Sequence, residues 1–205
     1  MNVSNADITG VVLAGGESKR MGFNKAEAKM HGESMLMRMI DKLKEITPTI
    51  VVSSGNANYS NISFPQIIDE YSRCGPIGGI YSVLKASKTS LNLVVSCDIP
   101  LVSVSLLEHI VEKAKESNAL ITLPVDHDGQ LQMMCAVYHK DILPILQQQI
   151  DAQAFKMKNL VGMVATEYVE ISKEHPLYQE NAFMNVNNPT NLEEARKLWS
   201  NQKEL

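Results

Sequence analysis

Six residues near the start, Ile8-Thr9-Gly10-Val11-Val12-Leu13, carry no charge and are rich in β-branched side chains, and they run directly into Ala14-Gly15-Gly16. A strand that is apolar on both faces must be covered on both, which is the situation of a strand inside a parallel sheet with helices above and below it. The glycines that follow permit a tight turn and let another molecule approach main-chain N–H groups with no Cβ in the way. Two kinds of base, Arg20 and Lys25, come next. Phosphate is the natural guest of such a turn, yet neither the Gly-Lys-Ser/Thr ending of a P-loop nor the G-x-G-x-x-G of the dinucleotide fold is present.

The rest of the chain alternates between the two periods. Residues 34–46 place Leu36, Met39, Ile40, Leu43 and Ile46 at helical spacing, with Arg38, Asp41, Lys42 and Lys44 on the other side, and Pro48 stops the helix. Residues 50–53 read as a second buried strand followed by a loop at 54–58. A third short strand at 66–68 leads through Asp69 to a second glycine-rich turn, Gly75-Pro76-Ile77-Gly78-Gly79, and a helix to about residue 86. Residues 91–96 form the next strand, and Asp98 sits just past its carboxyl end. Ser103 opens a helix with Val104, Leu107, Ile110, Val111 and Ala114 as its buried stripe. Strands follow at 119–123 and 133–138, the second expected to be antiparallel after the short turn at 126–129. Helices at 142–150 and 154–161, a strand at 164–171 and a polar loop at 173–180 complete the middle. Near the end, Asn185 and Asn187 alternate along an extended stretch, so they face one side. A capping box of Thr190 and Glu193 then opens the last helix. Strands alternating with helices, without linker or repeat, predict one domain over residues 1–205: a three-layer α/β/α, Rossmann-like fold with a mostly parallel sheet. Ligands of such sheets bind outside the carboxyl ends of the strands.

A net charge of −4 argues against general nucleic-acid or anionic-membrane binding, so any phosphate site must be a local basic pocket. Cys74, Cys97 and Cys135 lie far apart with no C-x-x-C pair, which predicts neither a disulfide framework nor a cysteine-rich zinc site and fits a reducing cytoplasm. Cys97 reads as a small buried residue rather than a nucleophile. His31, His109, His127, His139 and His175 show no ligand spacing with one another. Residues 1–7 have no apolar export signal, and no run is long enough to span a membrane.

The string L-A-G-G-x-S-x-R-M-G-x-x-K at residues 13–25 resembles the signature of nucleotidyltransferases, which move a nucleoside monophosphate from an NTP to an acceptor. Three further strings resemble the molybdenum cofactor guanylyltransferases, the MobA type, in the same order along the chain. Asp69 with Gly75-Pro76-Ile77-Gly78-Gly79-Ile80 is similar to the family's D followed by G-P-L-x-G-[IM]; Cys97-Asp98-Ile99-Pro100 to C-D-x-P; and Asn185-Val186-Asn187-Asn188-Pro189 to N-[IV]-N-[ST]-P. The departures are Ser53 where some members carry asparagine, Asn188 before proline, and no arginine near Lys156 to Lys158.

The resemblance implies GTP as donor, the terminal phosphate of molybdopterin as acceptor and Mg²⁺ as the metal, bound by Asp98. It implies a nucleotide site of Leu13, Ala14, Gly15, Gly16, Lys25, Ser53, Asp69 and Asp98, with catalysis by Arg20, Lys25 and Asp98 and the acceptor beside Asn185 and Asn187. The residue chemistry is compatible: main-chain N–H groups from Leu13 to Gly16 are expected to cradle the nucleotide, while Arg20 and Lys25 offset triphosphate charge. Other cofactor-assembly proteins are the implied partners, and a monomer or weak oligomer is expected. Two alternatives stay open: a cytidylyl or sugar-phosphate transferase of the same fold, and a nucleotide-binding protein without catalysis.

Overall fold

The computed structural model describes residues 7–15 and 24–202. In chain order its strands are β1 (Ile8–Leu13), β2 (Lys29–Met30), β3 (Glu33–Ser34), β4 (Ile50–Gly55), β5 (Gln66–Ile68), β6 (Leu91–Ser96), β7 (Ile121–Val125), β8 (Cys135–His139) and β9 (Thr166–Glu170). Its helices are α1 (Met35–Ile46), α2 (Pro76–Ala86), α3 (Val104–Glu116), α4 (Leu143–Asp151), α5 (Met157–Met163) and α6 (Pro189–Gln202).

Seven strands form one sheet in the order β5-β4-β1-β6-β8-β7-β9, and β2 pairs with β3 as a separate hairpin. β1 lies centrally, buried along its whole length, with β4 and β6 parallel on either side. Only β8 runs against its neighbours, as the short turn before it predicts. Alternate residues of β1 serve opposite layers. Ile8 and Val12 pack with α1 and α3, whereas Val11 and Leu13 pack with α2, α4 and α5. This is the three-layer α/β/α arrangement with a mostly parallel sheet. From β1 the chain crosses to β4 and β5, then returns through α2 to β6 on the other side of β1, so a crevice opens between β1 and β6 where the winding reverses.

Several expectations are corrected. The strand at residue 50 continues to Gly55 rather than ending at Ser53, because β5 pairs along it through a register shift. The first of the two later helices starts at Leu143, after a 3₁₀ turn over Lys140–Ile142, and the second at Met157. Residues 185–188 carry no regular structure and belong to no strand. The last helix is capped by Asn188, whose side chain accepts from the Asn191 N–H at 2.8 Å, while Glu193 pairs with Arg196. Pro189 takes the first helical position, where its fixed φ suits the helix and its missing N–H costs nothing. Finally, Arg38 and Lys42 are buried, not solvent-facing like Asp41 and Lys44. Trp199 of α6 covers them, its ring 4.2 Å from the Arg38 guanidinium and 5.2 Å from the Lys42 ammonium.

Candidate active site

The carboxyl ends of three adjacent parallel strands, at Leu13, Gly55 and Ser96, open into one cleft of about 1470 Å³. Because β8 is antiparallel, Met134 just before it reaches the same edge. Both glycine turns reach the cleft, the first at Gly15 and the second at Gly75, Pro76 and Gly79.

On one wall the chain brings together three residues remote in sequence. Lys25 Nζ donates to Asp98 Oδ2 at 2.6 Å and to Asn187 Oδ1 at 3.0 Å. Each owes its place to local structure. Asn24 caps a 3₁₀ turn over Lys25–Glu27 with its side chain, which fixes where Lys25 starts. Asp98 follows the end of β6. The N–H of fully buried Val186 donates to the Asp98 carbonyl at 2.8 Å, which ties the asparagine string to that loop. Asp98 Oδ1 is buried and has no hydrogen-bond partner among the described residues. An ionised oxygen in that state is costly unless a cation shares it. Among the described residues no cluster of three His, Cys, Asp or Glu could enclose a metal. A divalent ion here would therefore rest on Asp98 together with oxygens of the ligand, the way Mg²⁺ is usually held.

The opposite wall joins Ser53, Asp69 and Gly79. The Ser53 hydroxyl donates to Asp69 Oδ1 at 3.2 Å, and burial raises the Asp69 carboxyl above its ordinary range, with bonds from Ser53 and the Gly55 backbone acting against that rise. A Cβ on Gly79 would stand 2.8 Å from Ser53 Oγ, and one on Gly15 would stand 2.8 Å from the Gly55 nitrogen. At Gly15 the obstacle is backbone, so only glycine fits without moving the chain, whereas at Gly79 it is a hydroxyl that can rotate. Gly75 caps α2 at φ 60° and ψ −150°, a conformation natural only to glycine.

The amide cradle differs from expectation. The N–H groups of Ala14 and Gly15 both donate to the Ser53 carbonyl, at 2.9 and 3.0 Å, so they fasten β1 to β4 and are not available as donors to a ligand. Gly16 and Arg20 lie outside the described residues. Asn187 joins Lys25, but Asn185 is exposed and turns back on the Phe183 carbonyl, so the two do not line one wall. Among the cleft residues to which sequence reasoning gives no site role are Asn24, Arg73 and Tyr59. Tyr59 is buried and donates to the Ala14 carbonyl at 2.9 Å, bracing the first turn from a loop whose sequence gives no sign of it. Arg73 holds φ 64°, unusual for a non-glycine residue.

Cys97 is buried, and burial first, then the Asp98 charge, pushes its thiol up to about 12. It is a packing residue. The rings of His109 and His175 sit 5.2 Å apart, a proximity their sequence spacing does not reveal. No helix among the described residues is long and apolar enough to cross a membrane.

Residues 10–166 match the model of the MobA-like NTP transferase domain. A probable molybdenum cofactor guanylyltransferase of Pelotomaculum thermopropionicum is 30% identical over 197 residues, covering 95% of either chain. The molybdenum cofactor guanylyltransferase of Vibrio cholerae is 31% identical, over 91% of this chain and 90% of its own. In three dimensions the chain is similar to molybdopterin-guanine dinucleotide biosynthesis protein A of Archaeoglobus fulgidus, with a TM-score of 0.83 at 22% identity over 94% of this chain and 99% of that one.

Proposed function

The chain belongs to the MobA-like NTP transferase family, and on that premise we propose that it transfers GMP from GTP to the terminal phosphate of molybdopterin. An oxygen of the acceptor phosphate attacks the α-phosphorus of GTP, a new P–O–P linkage forms, the bond to the β-phosphate breaks, and pyrophosphate leaves. The observation that carries this reading is the convergence of Lys25, Asp98 and Asn187 at the carboxyl edge of the sheet. It puts a residue from each of two further family-like strings within hydrogen-bond reach of the Lys25 ammonium, which belongs to the first.

Such a transfer asks for alignment and charge neutralisation more than for a covalent nucleophile. A phosphate monoester has a second pKa near 6, so its attacking oxygen is already anionic at neutral pH and no proton need be removed. Lys25 supplies a cation to the triphosphate and to the charge that grows on departing pyrophosphate, and we assign Arg20 the same task. Asp98, with its unpartnered Oδ1, suits Mg²⁺, which supplies neutralisation of phosphate charge when bound. The hydrogen-bonded Ser53 and Asp69 at the other side of the cleft support their assignment to the nucleotide, and the contact of Asn187 with Lys25 supports its assignment to the acceptor. The three described cysteines are free thiols, which supports a reducing, cytoplasmic setting.

The test is pyrophosphate release with molybdopterin and Mg²⁺, offered each of the four NTPs in turn. GTP as the preferred donor is the expected result. Preference for CTP would make the chain a cytidylyltransferase instead, and GTP binding without release would make it a non-catalytic binder.

A further inference from the structure

Asp98 is held at its side chain by Lys25 and at its carbonyl by Val186, but the turn that follows it, residues 99–102, is tied to the body of the protein from another direction. Lys42, on α1, donates its ammonium to the Pro100 carbonyl at 2.7 Å and also to the Val102 carbonyl. The side chain is 8% exposed, beneath Trp199 and beside Arg38. An ammonium is expensive to bury, and a leucine or methionine would fill this site on the helix at less cost. What lysine adds is two directed bonds to carbonyls two and four residues beyond Asp98. Within the turn itself the links are long: Ile99 N–H to Ser96 O at 3.5 Å and Val102 N–H to Ile99 O at 3.3 Å. The turn therefore leans on α1 for its position.

We propose that Lys42 is a positioning residue for Asp98, a buried cation that fixes the turn after β6 and so holds the Asp98 carboxylate at the edge of the cleft where a divalent ion would sit. This rests on the reading of Asp98 as the metal-holding carboxylate. Through Trp199, the same lysine connects the setting of that carboxylate to the docking of α6. Arg38, which shares the Trp199 ring, is engaged elsewhere, donating to the Met30 carbonyl at 2.9 Å and pairing with Glu33, and so does not substitute for it.

The test compares Lys42→Met with Met39→Ala, a change to the buried face of the same helix, in the full chain. Two quantities are read: Mn²⁺ affinity in the presence of GTP, by water-proton relaxation, and hydrogen exchange at the Ile99, Val102 and Val186 amides. Lys42→Met is expected to bind Mn²⁺ at least about ten-fold more weakly, the scale of a lost outer-shell support, and to exchange faster at the three amides. Met39→Ala is expected to lose thermal stability while keeping both quantities at the wild-type level. Unchanged Mn²⁺ affinity in folded Lys42→Met overturns the proposal, as does an equal loss in Met39→Ala. Should Lys42→Met not fold, Lys42→Gln, which keeps a donor on a shorter stem, is read against the same two outcomes. If the wild type itself binds no Mn²⁺ with GTP, the metal reading of Asp98 falls. Exchange then decides alone, and unchanged rates at the three amides would remove Lys42 from its role.

Discussion

The Lys25 ammonium lies 2.6 Å from Asp98 Oδ2 across 73 residues of sequence, and the pair is only partly open to water. At that distance and burial each charge makes the other tolerable, and removing one strands its partner. The pair also fixes a geometry: a cation beside the carboxylate's outer oxygen leaves the inner one to face something else. Disturbing either member therefore has its own consequence.

Asp98→Asn removes the charge and keeps the shape. Turnover with GTP is expected to fall by about 10²-fold or more, since a neutral amide is a poor ligand for a hard cation. The lost ion pair is offset by relief of the unpartnered Oδ1, so the melting temperature should stay within about 4 °C of the wild type, the shift that about 1 kcal/mol produces in a chain of this size. Steady-state kinetics and calorimetry on one preparation check both halves. Wild-type turnover would take Asp98 out of the chemistry.

Lys25→Met should be worse for stability than Asp98→Asn, because it leaves a partly buried carboxylate with no ammonium, at a cost of about 1–3 kcal/mol. Adding Asp98→Asn to it should restore most of that stability and none of the activity. A double-mutant cycle by chemical denaturation measures the coupling, and additive losses would mean that the contact contributes nothing.

The parts of this architecture legible in the sequence are those that depend on neighbours along the chain. The β1 run, the two glycine turns and the acid after β6 announce themselves through period, composition and motif. What remained hidden depends on elements arriving from far away. The polar face of α1 splits in two because α6, some 150 residues later, lays Trp199 over Arg38 and Lys42, and no pattern within α1 separates those two from Asp41 and Lys44. Tyr59 reaches the Ala14 carbonyl from a loop without regular structure. Local sequence leaves the Ala14 and Gly15 amides open to a ligand, but the pairing of β1 with β4 puts the Ser53 carbonyl in their way. At the last helix, two local rules competed, and the asparagine before proline was a better cap than the threonine after it.

The two cleft glycines should respond differently to a methyl group. In Gly15→Ala the new Cβ meets Gly55 backbone atoms at 2.8 and 2.9 Å, which can move only by opening the junction of β1 and β4. A loss of about 1–3 kcal/mol, or more, is expected. In Gly79→Ala the first contact is the Ser53 hydroxyl at 2.8 Å, which can rotate away and give up its bond to Asp69. Alanine also improves a helix interior by about 1 kcal/mol. Gly79→Ala should therefore be close to neutral in thermal melts and weaker for GTP by titration calorimetry; the reverse ranking of the two variants would contradict the packing described.

Asp69 offers a test by pH. Burial raises its carboxyl, with Ser53 and the Gly55 backbone opposing, so the folded pKa lies above the unfolded value of about 3.9. The sign follows from proton uptake: a group that holds its proton more tightly when folded favours the folded state in acid, and that contribution is lost as pH rises through the folded pKa. At neutral pH the wild type thus carries an ionised carboxylate that is partly desolvated. Asp69→Asn cannot ionise and can still accept from Ser53. Denaturation midpoints should place the variant above the wild type at pH 7, with the gap narrowing as pH approaches 4, and a gap that widens in acid would refute the assignment. If this wall meets the nucleotide, the stabilised variant should also bind GTP less well, because the carboxylate is then kept for its ligand at the expense of the fold.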